Sequence, residues 1–385
     1  MSPERKVRKV RKTSGEYFDY NIVIIVSLLI IFGLIMIYST SSYNALDEYG
    51  DAFHYLKKQG VATIGGMILM IITIFFPLQY FLKFSELIYV LSLIAVVLVK
   101  TPLGRSAGGA TRWIYIGPMS IQPAELVKIS IILLLATFIC KYNSSLLNKW
   151  KILFAFMVPS IIGAAMIFLL TNNLSSAIIV VGIAFIMLFI ASPNYSKFFI
   201  LAGSVVAVAV VAVLVIVNLA GSGDGNFRVV RVLAWLDPEA YSNDTGYQIL
   251  QSLYAIGSGG IFGKGLGESM QKLGFIPESQ NDMIFSIICE ELGLCGAFML
   301  ILLFALLLWR MMLVAINTKN KAGCLVVVGV IAHIAIQVVL NIAVVTNSIP
   351  NTGISLPFIS YGGSSVLCLL VEIGLVLNVS RNIKV

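Results

Sequence analysis

The chain has 385 residues, 59% of them hydrophobic and only 11% charged, with a formal net charge of +8 and a mean hydropathy of +0.96. Soluble domains run nearer about 45–50% apolar and about 25% charged, so a soluble enzyme is excluded and an all-α polytopic membrane protein is expected. Five cysteines with no CxxC pair and two distant histidines, His54 and His333, argue against a disulfide scaffold or a zinc-type metal centre.

The positive charge reads as a topology signal and not as a nucleic-acid footprint. Residues 1–20 form a basic tail, with Arg5, Lys6, Arg8, Lys9, Arg11 and Lys12 against one acid, Glu4. The positive-inside rule places this tail in the cytoplasm. The apolar run behind it is longer than a signal-peptide core of about 7–15 residues, so it is taken as an uncleaved first span. Residues 21–385 then read as one membrane domain. Runs long enough for a membrane helix, about 20 residues, lie near 21–43, 56–77, 84–100, 121–140, 152–171, 174–191, 197–220, 283–309, 322–346 and 357–380. Ten spans return the C-terminus to the cytoplasm. The loops this assigns to the inside carry Lys83, Lys141, Lys149, Lys151, Lys197, Arg310, Lys319 and Lys321; those assigned to the outside are mixed in sign.

Three outside segments are rich in Gly, Pro and small polar residues, the composition of tight turns and close backbone approach. They are 101–120, the large extracellular loop 221–282 between the seventh and eighth spans, and 347–365. Within the large loop, Gln248 to Ile261 is half apolar and reads as an interfacial helix lying flat on the membrane. The loop ends at Asp282, immediately before the apolar run from Met283. A carboxylate at that boundary is costly unless a substrate, a metal or a cation needs it.

Further charges lie within the spans, where each is a functional hypothesis by default. Glu125 and Lys128, at i, i+3, share one face of the fourth span, and Glu290 and Glu291 lie at similar depth on the eighth. Two readings stand: a hydrophilic cavity opening outward, or an ion pair from Lys128 to a glutamate that holds two helices together. Glu372 in the last span reads as structural, paired with a helix neighbour or with Gln337. Gly263-Lys-Gly-Leu-Gly267 lacks the spacing of a phosphate loop and reads as a tight turn. Arg105, Arg112, Arg228 and Arg231 offer guanidinium groups suited to phosphate or to lipid headgroups.

Taken together, the motifs resemble those of the SEDS family (shape, elongation, division and sporulation). They are Gly109-Ala-Thr-Arg-Trp-Ile-Tyr-Ile-Gly117, Ile121-Gln-Pro-Ala-Glu-Leu-Val-Lys128, Gly246-Tyr-Gln-Ile-Leu-Gln-Ser252, Ile256-Gly-Ser-Gly-Gly260 and Gly263-Lys-Gly-Leu-Gly267. Phe275-Ile-Pro-Glu-Ser-Gln-Asn-Asp282, Glu290-Glu-Leu-Gly293 and Pro357-Phe-Ile-Ser-Tyr-Gly-Gly-Ser-Ser365 complete the set. The basic tail and the Ile37-Tyr-Ser-Thr-Ser-Ser-Tyr43 end of the first span lean toward the FtsW branch.

The resemblance implies a peptidoglycan glycosyltransferase that polymerises lipid II at the outer face of the bacterial cytoplasmic membrane. It further implies a class B penicillin-binding protein, the transpeptidase, as partner, among other division or elongation proteins. The family's essential aspartate falls on Asp282, and its motifs put Glu125, Glu278 and Ser360 with the substrate-binding residues. One departure is Asn172-Asn-Leu-Ser-Ser176, where many members carry Pro-Asp-Leu-Gly-Thr, so that Asn173 replaces a carboxylate.

The expected chemistry follows from the substrate. A lipid-linked diphosphate is already an anionic leaving group and needs cations more than a general acid, whereas the acceptor hydroxyl needs a base. Asp282 is the candidate base, or a ligand for a divalent cation, Mg or Mn, shared with the diphosphate. Arg112, Lys128 and Lys272 are candidate diphosphate ligands, with Arg228 and Arg231 as further cations. A single in-line displacement would invert the anomeric centre. The alternative is a lipid II flippase, but the polar residues concentrate on the outer half, and a translocation path needs them through the full thickness.

Overall fold

The computed structural model describes residues 18–107, 110–116, 119–142, 149–219, 227–242 and 245–383. It is three-quarters helical and polytopic. The chain runs through α1 (Tyr20–Tyr49), α2 (His54–Phe75), α3 (Leu78–Lys83) and α4 (Ser85–Leu98) into a three-stranded antiparallel meander, β1 (Gly104–Ala107), β2 (Ala110–Ile116) and β3 (Met119–Ile121). Then follow α5 (Pro123–Lys141), α6 (Trp150–Thr171), α7 (Leu174–Ala191), α8 (Ser196–Leu219), α9 (Phe227–Leu236), α10 (Thr245–Gly259), α11 (Ile284–Asn317), α12 (Lys321–Val345) and α13 (Gly363–Arg381).

Among the described residues, nine helices are long and apolar enough to cross a membrane. The remaining expected span, 84–100, forms the 14-residue α4. At 1.5 Å per residue α4 reaches about 21 Å, short of a hydrocarbon core of about 30 Å. The last expected span also starts late: residues 357–362 are irregular and the helix begins at Gly363.

Capping and close packing set the frame. Asp19 caps α1 by accepting from the amides of Asn21 and Ile22, and its second oxygen pairs with Arg310 at 2.8 Å, tying the start of α1 to the far end of α11. Asn173 caps α7 by accepting from the Ser176 amide at 3.0 Å, a task that asparagine performs as well as aspartate. Helices α5, α12 and α13 lie at the centre and are largely buried, whereas most of the described side chains of α8 are exposed. α2 and α13 pack closely through glycines: a Cβ on Gly374 would stand 2.8 Å from the Met70 carbonyl oxygen, and one on Gly66 2.7 Å from Leu370 Cδ1. Small residues that let backbones approach are how helices associate in lipid, where apolar burial alone gains little.

Two features depart from the sequence reading. The 101–120 segment is a β-meander, with Ile114 paired to Gly104 on one side and Ile121 on the other. Nor does α10 lie flat: it runs beside α11, and its last residue, Gly259, sits against the backbone of Cys289 and Glu290, well inside the start of that helix. Residues 260–265 then turn at this depth. They meet α11 where it is broken at Gly293 (φ 68°, ψ −166°). The carbonyls of Glu290 and Glu291 accept from the amides of Lys264 and Gly265, and the amides of Leu294 and Cys295 donate to the carbonyls of Gly260 and Ile261, all at 2.9–3.0 Å. Irregular backbone at membrane depth is tolerated only when its polar groups are met internally, and here each strand of the break meets the other. Gly263, Gly265 and Gly267 all take positive φ, as a tight turn at this site requires.

Candidate functional site

Asp282 is delivered by a turn and held by its neighbour. Pro277 and Glu278 (φ 49°) stop regular structure. The Asn281 amide closes the turn on the Glu278 carbonyl at 2.9 Å, while its side chain donates to Glu278 Oε2 at 2.7 Å. Met283 and Ile284 then plunge into the core, fully buried, which leaves the half-buried carboxylate of Asp282 on the rim. Burial pushes its pKa up to about 6; the nearby Glu278 adds to the rise, and Arg231 opposes it.

Around this carboxylate four elements converge. Arg231 on α9 donates to the Asn351 carbonyl at 3.2 Å, and Trp235, one turn on, donates from Nε1 to the Asn347 carbonyl at 3.0 Å. Gln248 on α10 accepts from the Asn351 amide side chain at 3.0 Å and donates to the Pro277 carbonyl at 3.3 Å. Ser175, at the start of α7, donates to the Thr352 carbonyl. Gly353 (φ 67°) faces Asp282 so closely that a Cβ there would stand 3.6 Å from Oδ2. Arg112 on β2 donates to the carbonyl of Asn172, the left-handed cap of α6, at 3.4 Å. Its Nε is buried and has no hydrogen-bond partner among the described residues. Burial lowers the pKa of both Arg112 and Arg231, and each group's field reaches the next: Arg112 depresses Arg231 while Asp282 raises it. The result is the Asp282 carboxylate and the Arg231 guanidinium held at the Asn351-Thr352-Gly353 segment, with Arg112 within the field of Arg231.

The other expected site residues are placed elsewhere. Lys128 pairs with Glu125 of its own helix at 2.7 Å, both buried, so this ion pair does not bridge two helices as expected. The second carboxylate oxygen of Glu125 is buried without a partner among the described residues. Lys272 is buried against Glu291 at 2.8 Å and Ser39 at 3.2 Å, and Lys264 reaches Glu290 at 2.7 Å. Glu125, Lys128, Glu290 and Glu291 are thus each held in a buried ion pair. Ser360 is buried in a turn, its hydroxyl accepting from the Leu356 amide at 2.7 Å. Glu372 pairs with His333 at 2.8 Å and not with Gln337, which donates to the Ser355 carbonyl. The side chains of Arg105 and Arg228 lie outside the described residues.

Among the described residues no three His, Cys, Asp or Glu side chains gather as metal ligands. Mg²⁺ nonetheless binds commonly through one or two carboxylates plus substrate phosphates, and Asp282 with Glu278 beside it fits that donor set. Trp235, Gln248 and Ser175 were not predicted as site residues. Their signal is weak, because each acts by holding the backbone of the 347–352 segment, which is invisible without knowing what packs against what.

Comparison with known proteins shows the family and the fold. A family model described as "Cell cycle protein" (FtsW, RodA, SpoVE) matches residues 19–385. The chain is 37% identical over 372 residues to Stage V sporulation protein E of Bacillus subtilis, covering 96% of this chain and 98% of that one. It is 35% identical over 378 residues to the probable peptidoglycan glycosyltransferase FtsW of Geobacter metallireducens, covering 96% of each. Among solved structures it is similar to a chain of a peptidoglycan synthase complex that coordinates polymerization and crosslinking (TM-score 0.75, 25% identity, 95% of this chain and 98% of that one). The rod shape determining protein RodA of Thermus thermophilus shares the fold (TM-score 0.67, 24% identity, 95% and 97%).

Proposed function

The chain belongs to the FtsW/RodA/SpoVE family of cell cycle proteins, and we propose that it is a peptidoglycan glycosyltransferase that polymerises lipid II at the outer face of the bacterial cytoplasmic membrane. The observation that carries the reading is the half-buried Asp282 carboxylate, its pKa raised by burial to about 6, within the field of Arg231, which lies in turn within the field of Arg112. A base works best with a pKa near the operating pH, and Asp282 meets that condition without a second carboxylate acting as nucleophile. The basic tail and the Lys-rich connections put both termini in the cytoplasm, and Asp282 at the opposite end of the bundle.

In this account the acceptor hydroxyl attacks the anomeric carbon of the lipid-linked sugar as the bond to the diphosphate breaks. Asp282 takes the hydroxyl proton, and the configuration inverts in one displacement. The diphosphate leaves as an anion held by guanidinium groups, for which Arg112 and Arg231 are best placed and Arg228 a further candidate. Lys128, Lys272 and Glu125 support the site through buried ion pairs, and Glu278 and Ser360 shape the turns on either side of it. In its alternative role Asp282 would instead hold a Mg²⁺ or Mn²⁺ ion, which would supply positive charge to the diphosphate. An apolar groove of 390 Å³ between α2, α4, α5 and α13, lined by Leu69, Leu91, Leu126, Leu367 and Val371 among others, suits the hydrocarbon tail of the substrate or of a membrane lipid. The likeness to a polymerizing and crosslinking complex supports a class B penicillin-binding protein as partner, within a division or elongation assembly.

Purified protein with labelled lipid II and divalent cation tests the reading. Wild type is expected to make glycan chains and Asp282→Asn none, at similar expression and membrane insertion. Polymer from Asp282→Asn, or wild-type scrambling of lipid II in liposomes without polymer, would overturn it.

A further inference from the structure

Helix α12 carries two amides, Gln337 and Asn341, four residues apart and therefore on one face, both buried. Leaving a buried polar group unmet costs about 1–3 kcal/mol; the two amide oxygens have no partner among the described residues, and it is the amide nitrogens that are met. Asn341 spends both amide protons on backbone: Nδ2 donates to the Asp282 carbonyl at 2.8 Å and to the Ile354 carbonyl at 2.7 Å. Gln337, one turn further from the site, donates to the Ser355 carbonyl at 2.9 Å. Asp282 precedes Met283, the N-cap of α11, so its carbonyl falls outside the helical ladder and is available to an outside donor.

The second end of this link is the segment that holds Arg231. Arg231 and Gln248 bind it at Asn351, Ser175 at Thr352, and Gly353 faces the Asp282 carboxylate. Among the described residues, Asn341 is the side chain whose hydrogen bonds join the backbone of Asp282 to this segment.

We propose that Asn341 is a positioning residue: it sets the spacing between the Asp282 carboxylate and the 351–355 backbone on which Arg231 is registered, with Gln337 as a second anchor of that backbone. This rests on the reading of Asp282 as the base. Asn341 touches no substrate and acts through two carbonyls. Its worth lies in geometry, since a misplacement near 1 Å costs roughly 100-fold in rate.

The test compares wild type, Asn341→Leu, Gln337→Leu and Asp282→Asn as purified proteins. Initial polymerisation rates are measured against lipid II concentration, and hydrogen exchange is followed in the 349–357 peptide. Asn341→Leu is expected to lower kcat roughly 10- to 100-fold with KM little changed, and to speed exchange in 349–357. Gln337→Leu speeds the same exchange, with a smaller loss of kcat. If Asn341→Leu fails to fold, Asn341→Ser, which keeps one donor, is read for the same quantities. Wild-type kcat in the Asn341 variant beside an inactive Asp282→Asn would overturn the inference alone. Equal losses of kcat in Asn341→Leu and Gln337→Leu, or a loss carried in KM, would overturn it as well, by reducing Asn341 to packing. An active Asp282→Asn would instead overturn the catalytic reading beneath it.

Discussion

Asp282 carries a burden that an asparagine would not. Its pKa is raised by burial to about 6, so above that pH the folded state holds an ionised carboxylate that is better solvated in the unfolded chain. A raised folded pKa means that stability is withheld at neutral pH and returns as pH falls through about 6. Asp282→Asn is therefore expected to melt no lower than wild type near pH 7.5 in a detergent thermal-shift assay, while losing activity; a clearly lower midpoint would mark the residue as structural. Activity bought at the expense of stability is common at catalytic positions. At this scale the sequence was informative about charge and silent about pairing. Asp282, Arg112 and Arg231 stand out because charge at a membrane boundary is expensive. Lys128 and Lys272 stand out for the same reason, yet their ammonium groups are occupied by Glu125 and Glu291. Nothing in a linear chain distinguishes a cation that faces substrate from one that neutralises a buried acid.

Among the elements, the break in α11 organises the most structure. Glu290 and Glu291 sit one turn before Gly293, and the re-entrant segment brings Lys264, Ser269 and Lys272 to them. Ser39 of α1 donates to both oxygens of Glu291, at 2.7 and 2.8 Å. Three elements thus meet at one carboxylate. Removing one partner of a buried ion pair leaves an unpaired charge and costs about 3–5 kcal/mol, whereas replacing both with apolar groups is often near neutral. Lys272→Met is expected to lower the melting temperature sharply, and Lys272→Met with Glu291→Leu to recover most of the loss. Independent, additive losses would contradict the coupling. The long helices were legible because about 20 apolar residues have few other fates. The meander at 104–121 was not, since its glycines and polar residues mask the β-rich Trp113-Ile-Tyr-Ile116 run. The descent of α10 was also hidden, because a half-apolar helix reads the same lying on a membrane or entering it beside a partner.

For the whole molecule, the arrangement is a buried centre of α5, α12 and α13 with the site gathered at one end. The basic residues of the connections at the other end are the ground for the proposed direction. In a background with the five native cysteines replaced, Glu239→Cys in the exposed turn after α9 is expected to react with a membrane-impermeant maleimide in intact cells, and Lys319→Cys between α11 and α12 only after permeabilisation. The reverse pattern would put the site on the wrong side for an externally assembled wall. The direct measurement of the central claim is the pH dependence of lipid II polymerisation by the purified wild-type protein, from about pH 5 to about pH 8. With Asp282 as base, the initial rate falls as pH drops through about 6, and Asp282→Asn shows no rate at any pH; a flat profile across that range, or a residual rate in the variant with the same acid limb, would contradict the account.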